Sequence, residues 1–517
     1  MSMVKHKGRR RTPGAATIPD CTVAALKRHP ELPDTRAAEA LDALVVITGV
    51  GDTSLWPRLP ESARWRALST RSRPAPLKWQ ATALANTRQT HAVLGLAKPA
   101  ASAFERLSFA GKLMAEISGR RPQRLGLIVS DALPDAAEWY EALLSAAWAA
   151  SFALPQFRSQ PGEHWQLKSI ELYAAPPLEI QRIAATARAN NLVRTLTALP
   201  PNKLDAAAYL KLLRALARKH HLQLRWYPES ALARLGAGAF LAVARANAAR
   251  NAGIAHLRWR GSGRRSRPPE VALVGKGILF DTGGINLKSH RSMLDMHIDM
   301  SGSAVALATL VALAELKSPL AADAWLAITE NNTGPTAYRP QEIVRACNGT
   351  TIQVIHSDAE GRMVLADTLA LAARTRPKLI VDFATLTGAC VHALTERYSG
   401  VFTNRPQLTQ ALLAAGRDSG ERVWNFPIDE DFDSDIESTV ADVMQCAVEG
   451  KGDHILAARF LRRFVADIPW VHVDLAAAMR RGGLAHIGTD ITGFGARWAL
   501  ELLLRQQPQR QAMRRPA

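Results

Sequence analysis

The chain has 517 residues, more than one ordinary hydrophobic core organises, so two domains are expected. Hydrophobic residues make up 47% and charged residues 21%, which excludes a disordered polyelectrolyte, and four widely spaced cysteines (Cys21, Cys347, Cys390, Cys446) without a C-x-x-C pair exclude a disulfide framework and a thiolate zinc site. A formal net charge of +19 favours polyanions and makes nucleic acid a candidate partner, but no nucleic-acid-binding motif is present and the basic residues gather in stretches that read as loops and tails.

In chain order, residues 1–30 read as a flexible basic arm (Lys5, Lys7, Arg9, Arg10, Arg11). No apolar core follows these arginines, and no run reaches the ~18 apolar residues of a membrane helix. A cytoplasmic protein without a membrane partner is expected. Residues 31–175 alternate strand-like runs (Ala43–Thr48, His91–Leu96, Arg124–Ser130) with helical patterns (Ala101–Ile117, Asp135–Ala150), which is α/β order. They carry no glycine-rich phosphate loop and no acidic cluster, and read as a scaffold or assembly domain. Residues 176–199 form a connecting helix, opened by Pro176-Pro177 and broken by Leu199-Pro-Pro-Asn-Lys203.

Residues 200–507 make the larger domain, and 508–517 a basic tail. Here Ala206–Lys219 reads as a helix with Asp205 as N-cap. Leu222–Trp226 and Phe240–Ala244 read as strands. Ala255–Arg260 and Glu270–Gly275 look like a strand pair joined by a basic loop. Helix Ser303–Leu316, strands Ala324–Thr329 and Thr351–Ile355, helix Met363–Ala373 and strand Leu379–Ala384 follow.

Two dense segments stand out. The first is Asp358-Ala-Glu-Gly-Arg362, between a strand and a helix. Two carboxylates this close raise each other's pKa unless a cation lies between them. Alone, the stretch reads either as a metal site at a strand's carboxyl end or as a solvated acidic turn. The second runs from Val274 to Lys288, with four glycines, Lys276 and Asp281; Asp295 and Asp299 follow. Its spacing does not match a phosphate loop, and Asp299 has a plain alternative as N-cap of the Ser303 helix. Together, Asp281, Asp299, Asp358 and Glu360 offer carboxylate oxygens, and Lys276 and Lys288 offer nitrogens. Hard divalent metals prefer such a set, and a pair about 3.5–4 Å apart activates a bridging water, so hydrolysis is the chemistry implied.

Val274-Gly-Lys-Gly, Phe280-Asp-x-Gly-Gly, Lys288, Asp299-Met, Asp358-Ala-Glu-Gly-Arg362 and Ala384-Thr-Leu-Thr-Gly388 stand in the order and spacing of the leucine aminopeptidase family, the cytosol aminopeptidases, which the chain resembles over residues 195–505. The resemblance implies a smaller, macro-like N-terminal α/β domain and a larger C-terminal α/β domain with a central mixed sheet. It implies two divalent ions per subunit, zinc or manganese, with magnesium or cobalt as alternatives. Lys276, Asp281, Asp299 and Glu360 correspond to the ligands of the more exchangeable ion, and Asp281, Asp358 and Glu360 to those of the other. Lys276 must then be neutral, against an unperturbed pKa of about 10.4. The resemblance further implies that the nucleophile is a metal-bridging hydroxide. Lys288 polarises the scissile carbonyl, and Arg362 holds a bicarbonate that serves as general base.

The substrate's free α-amino group binds the exchangeable ion, which confines cleavage to N-terminal residues. Met296, Thr385, Gly388, Ala476 and Met479 match the pocket for the first side chain and suit Leu or Met; core packing is the alternative reading of each. The expected assembly is a homohexamer, and the expected partners are peptides with a free N-terminus. His356-Ser357 stands where the family usually reads Asn-Thr: Ser357 keeps the hydroxyl, and His356 is either a donor or proton site near the metals or a surface change. Other readings are a DNA-binding or regulatory protein on the same scaffold, and an inactive homologue, against which the intact motif residues weigh.

Overall fold

Two open sheets carry the chain, in a computed structural model that describes residues 18–70, 75–160, 162, 164–263 and 268–504. The first sheet takes β1 (Ala25–His29), β2 (Ala43–Gly49), β3 (Trp79–Ala83), β4 (His91–Ala97), β5 (Arg124–Val129) and β6 (Ser169–Tyr173) in the order β1-β6-β5-β2-β4-β3. All neighbours are parallel except β3 and β4. A parallel strand covered on both faces needs a near-continuous apolar run, and β2 has one. Val45 and Ile47 pack in the core with Leu113 and Leu143, while Leu44 and Val46 pack with Trp56 and Trp65 on the other face. The helix Ala103–Ser118 starts at a capping box: Glu105 N donates to Ser102 Oγ (3.2 Å), and Ser102 N donates to Glu105 Oε2 (2.9 Å).

The second sheet takes β7 (Gln223–Pro228), β8 (Gly253–Trp259), β9 (Val271–Asp281), β10 (Ala322–Asn331), β13 (Leu379–Ala384), β14 (Ser399–Thr403), β15 (Val423–Asn425) and β17 (Trp470–Asp474). Its order is β15-β14-β17-β13-β9-β10-β8-β7, parallel through β17-β13-β9-β10 and mixed outside. A small third sheet joins β11 (Ile343–Arg345), β12 (Thr351–Gln353) and β16 (Val443–Met444). Alternation along β9 splits the core. Val271 and Leu273 face the helices Ile180–Thr197, Ala206–Lys219 and Ser301–Glu315; Ala272 and Val274 face Gly238–Ala244, Glu360–Ala373 and Asp453–Arg462. Met296–Glu315 is long and apolar enough for a membrane span by composition, but it is buried in this core.

Four expectations need correction. The arm over residues 1–30 is structured at its end, where Ala25–His29 pairs with β6; residues 1–17 and the tail 508–517 lie outside the described residues. Phe240–Ala244 is helical, in Gly238–Ala244. Its third N–H, that of Phe240, donates to the buried carboxylate of Asp367 (2.8 Å), a partner no local pattern reveals. β8 and β9 are not neighbours, because β10 lies between them. Arg258 Nε and Nη2 donate to the buried Asp323 of β10 (2.7 and 2.8 Å), and His256 Nε2 lies 2.8 Å from it, so the charges on β8 are satisfied by β10. The run Thr351–Ile355 contributes only Thr351–Gln353 as strand, and to the small sheet rather than the central one. The Asp205 cap forms as expected, with Ala208 N donating to Asp205 Oδ1 (2.7 Å).

The connecting helix, Ile180–Thr197, lies between the two units, packing against Ala136–Ala150 on one side and Ser301–Glu315 on the other. Glu141 of the first unit accepts from Arg182 Nη2 (2.5 Å) and from Arg497 Nη2 of the second (2.8 Å).

Candidate active site

Asp281 closes β9, at the carboxyl end of a central parallel strand, where open α/β sheets leave room for ligands. Lys276 lies on the same strand, buried. The turn Met296–Met300 brings in Asp299, and the first turn of helix Glu360–Ala373 brings in Glu360. Asp299 does not cap the following helix, whose N-cap position is Met300; its Oδ1 instead accepts from Thr385 Oγ1 (2.8 Å). Ser357 ties the two segments together. Its Oγ donates to Gly283 O (2.7 Å) and accepts from Asn286 N (2.8 Å), and its N donates to Asn286 Oδ1 (2.8 Å).

Lys276 Nζ lies 2.8 Å from Asp299 Oδ1 and 2.8 Å from Glu360 Oε1, and it donates to Thr385 O (3.0 Å). Lys288 Nζ lies 2.9 Å from Asp281 Oδ2 and 2.6 Å from Asp358 Oδ1. Asp281, Asp358 and Glu360 each aim an oxygen into one spot, within 4.8 Å of one another. Glycines make the room. A Cβ on Gly361 would meet Lys276 Nζ at 2.7 Å, and Gly283, at φ +85°, turns the chain beside Asp358 Oδ1.

Four carboxylates against two ammonium groups leave two negative charges uncompensated among these six side chains. Burial, and then the neighbouring acids, push Asp299 up to about 8, Glu360 up to about 7 and Asp358 up to about 6. Burial opposes charge on Lys276, but Asp299, Glu360 and Asp281 outweigh it, and its pKa is raised. Metal ligation by its Nζ requires the opposite shift, which only added cationic charge supplies. Asp299 Oδ2 and Glu360 Oε2 are buried with no hydrogen-bond donor. Crowded carboxylates with unused inward oxygens are what a hard divalent cation satisfies, so the residues present fit the metals the sequence implies.

Of the expected pocket residues, only Thr385 bonds to this cluster. Met296 is half-buried in its turn, Gly388 is exposed at the head of helix Gly388–Leu394, Ala476 is buried, and Met479 bridges to Ile491. Asp474 braces the two loops that carry them: Thr387 Oγ1 donates to its Oδ2 (2.7 Å) and Leu386 N to its Oδ1 (3.2 Å). His356 is exposed, and its Nδ1 accepts from Asp358 N (3.3 Å). Burial and the nearby Lys288 lower its pKa.

Sequence reasoning missed several residues. Asn331 Nδ2 donates to Asp281 Oδ1 (2.8 Å) and to Ser357 O (3.1 Å), and Tyr338 OH donates to Ser357 O (2.7 Å). Asn331 closes β10 beside Asp281, so its place at the carboxyl end of a parallel strand is the signal that could have found it. Arg362, the expected bicarbonate arginine, has a partner the sequence did not reveal: its Nη2 donates to Asp453 Oδ2 (2.7 Å).

Comparison with known proteins gives one family. The model of the cytosol aminopeptidase family, catalytic domain, matches residues 191–500. A probable cytosol aminopeptidase of Syntrophotalea carbinolica is 36% identical over 397 residues, covering 74% of this chain and 79% of the relative. One from Synechococcus sp. is 35% identical over 435 residues, covering 82% and 88%. Among solved structures, the bottromycin maturation enzyme BotP in complex with Mn superposes with a TM-score of 0.77 at 30% identity, over 89% of this chain and 98% of that one. A mutant tomato leucine aminopeptidase superposes with a TM-score of 0.81 at 26% identity, over 94% and 97%.

Proposed function

The chain belongs to the cytosol aminopeptidase family, and on that premise we propose that it is a two-metal aminopeptidase that removes an N-terminal residue, preferably Leu or Met, from peptides. The carrying observation is the cluster of Asp281, Asp299, Asp358 and Glu360 around Lys276 and Lys288, with buried carboxylate oxygens left without donors. Lys276, Asp281, Asp299, Asp358 and Glu360 would hold two divalent ions, manganese or zinc. When bound, these supply a Lewis acid for the scissile carbonyl and a water of lowered pKa as nucleophile.

The chain's own residues do the rest. Lys288, whose pKa is raised because Asp281, Glu360 and Asp358 outweigh its burial, keeps its proton and stabilises negative charge that develops on the carbonyl oxygen. Thr385 orients Asp299 through its hydroxyl and Lys276 through its carbonyl. Asn331 Nδ2 and Gly283 N both donate to Asp281 Oδ1, which fixes that carboxylate in place. Met296, Thr385, Gly388, Ala476 and Met479 border the seat of the first side chain, where a flexible thioether and small residues suit an unbranched or γ-branched aliphatic group. The same reading includes a cytoplasmic location, in keeping with the family's description, and a homohexameric assembly, which rests on the family resemblance alone. Nucleic-acid binding rests only on net charge and is not part of it.

The test is hydrolysis of Leu-p-nitroanilide against its N-acetylated counterpart, after loading with Mn2+ or Zn2+ and again after chelation. Metal-dependent cleavage of the free amine alone is expected. Absence of cleavage with every metal would sink the proposal.

A further inference from the structure

Arg362 is the third residue of helix Glu360–Ala373, two positions after Glu360, and its side chain is 2% exposed. A guanidinium buried that deeply is strongly destabilising without an anion. The chain supplies one. Arg362 Nη2 donates to Asp453 Oδ2 at 2.7 Å, and Nη1 donates to Gln445 O at 3.3 Å. Among the three N–H groups left over, that of Nε is buried among protein atoms and meets no acceptor of the chain. Burial opposes charge on Arg362, and Asp453 outweighs it.

Asp453 is only partly buried, with its side chain 25% exposed. It opens the helix Asp453–Arg462 after Gly452, which is left-handed at φ +62°. A carboxylate in a helix's first turn is favoured by the helix dipole. The two helices share one core, in which Met363 and Val364 pack in the same cluster as Leu456 and Phe460.

A diffusible carboxylate-like anion grips arginine through two parallel N–H donors. Here one Nη is engaged by a carboxylate of the chain and the other by a backbone carbonyl, and the side chain as a whole is enclosed by protein. A second anion would also face the negative charge of Asp453. The bicarbonate implied by family resemblance therefore does not fit the guanidinium as this chain presents it.

We infer that Asp453 is the resident anion of Arg362, filling from within the chain the seat of an exchangeable bicarbonate. Asp453 is a positioning residue: it holds Arg362 and, through it, the turn of helix that presents Glu360. This rests on the aminopeptidase reading for its consequence in catalysis, but not for its consequence in binding.

Two readouts test it on the full-length protein. The first is binding of 13C-bicarbonate followed by NMR, in metal-free and Mn2+-loaded wild type and in Asp453→Ala. Wild type should bind none at the arginine, and the variant should gain one saturable site that Arg362→Met removes. The second is Leu-p-nitroanilide hydrolysis in CO2-free buffer with and without millimolar bicarbonate. The wild-type rate should not change; the variant should lose ~10–100-fold, as when a supporting partner is removed, and bicarbonate or formate should restore it.

Stoichiometric bicarbonate binding by wild type that Arg362→Met removes, or a wild-type rate that depends on bicarbonate, overturns the inference. So does a loss in Asp453→Ala that no anion rescues. If the alanine variant does not fold, the wild-type binding measurement decides alone. An inactive wild type that still excludes bicarbonate would fail the aminopeptidase reading and leave this one standing.

Discussion

The two sheets treat carboxylates gathered beside the carboxyl ends of their parallel strands in opposite ways. In the first, Asp52 follows β2, and its Oδ2 accepts from Thr48 Oγ1 and Ser130 Oγ (both 2.7 Å), while Ser54 N donates to its Oδ1 (2.9 Å). Burial works against its charge, but the bonds from Ser54, Ser130 and Thr48 outweigh that and bring the pKa down to about 2. In the second, Asp299, Glu360 and Asp358 crowd together with oxygens unsatisfied, and their pKa values rise to about 8, 7 and 6. The difference teaches that strand ends alone do not make a site. A carboxylate supplied with neutral donors is finished structure; a group of them short of donors waits for a cation.

The contrast can be broken hardest at Glu360. Glu360→Ala should remove more than the ~10–100-fold typical of losing a residue that only supports a ligand, and should abolish any rise in melting temperature on adding Mn2+. Retained metal-dependent turnover would show that the unsatisfied acids are incidental. Lys288→Met comes next. Its kcat should fall by ~10²–10³, the usual cost of one charge-stabilising donor, with the metal stoichiometry from elemental analysis unchanged.

The pKa shifts give a third, milder effect. A cation must displace protons from groups that hold them up to about 6, 7 and 8. Apparent Mn2+ affinity by titration calorimetry should therefore weaken as pH falls from 8 to 6, about tenfold per unit for each proton displaced. The metal-free fold should move the other way. Raised carboxylates contribute stability that is complete below their unfolded values and lost as pH rises through the folded ones. An affinity flat across this window would contradict the assigned crowding.

The smallest effect belongs to the first sheet. Asp52→Asn should leave hydrolysis unchanged. The Asp52 pKa is depressed, so its contribution is present above the unfolded value of 3.8 and lost as pH falls toward about 2. Acid-unfolding curves of wild type and variant should differ above that window and converge below it. A drop in activity would mean that the two sheets are coupled more tightly than their separate cores suggest.

Much of the site was legible in the sequence because its members come in short motifs. Lys276 and Asp281 lie on one strand, and Asp358, Glu360 and Arg362 lie within five residues. Asn331 showed only as a polar residue at a strand's end, and Asp453 was not legible at all. Each is an ordinary polar residue in its own segment, and each acquires a role only by ending beside a motif residue distant in the chain. The same holds for Phe240–Ala244, a short apolar run compatible with strand or helix until Asp367 accepts from its first turn.

The sequence by itself determined the two-domain α/β character, through alternating apolar runs, and the ligand set of the candidate site, through the density of carboxylates and lysines in two segments. Tertiary structure decided which strands are neighbours, since β10 enters between β8 and β9 to satisfy Arg258 and His256. It also decided which lysine lies between which acids, and that Arg362 meets a carboxylate of its own chain. The reason is physical: local pattern reports burial and periodicity, whereas the partner of a buried charge is set by which distant segment can bring the opposite charge within hydrogen-bonding reach.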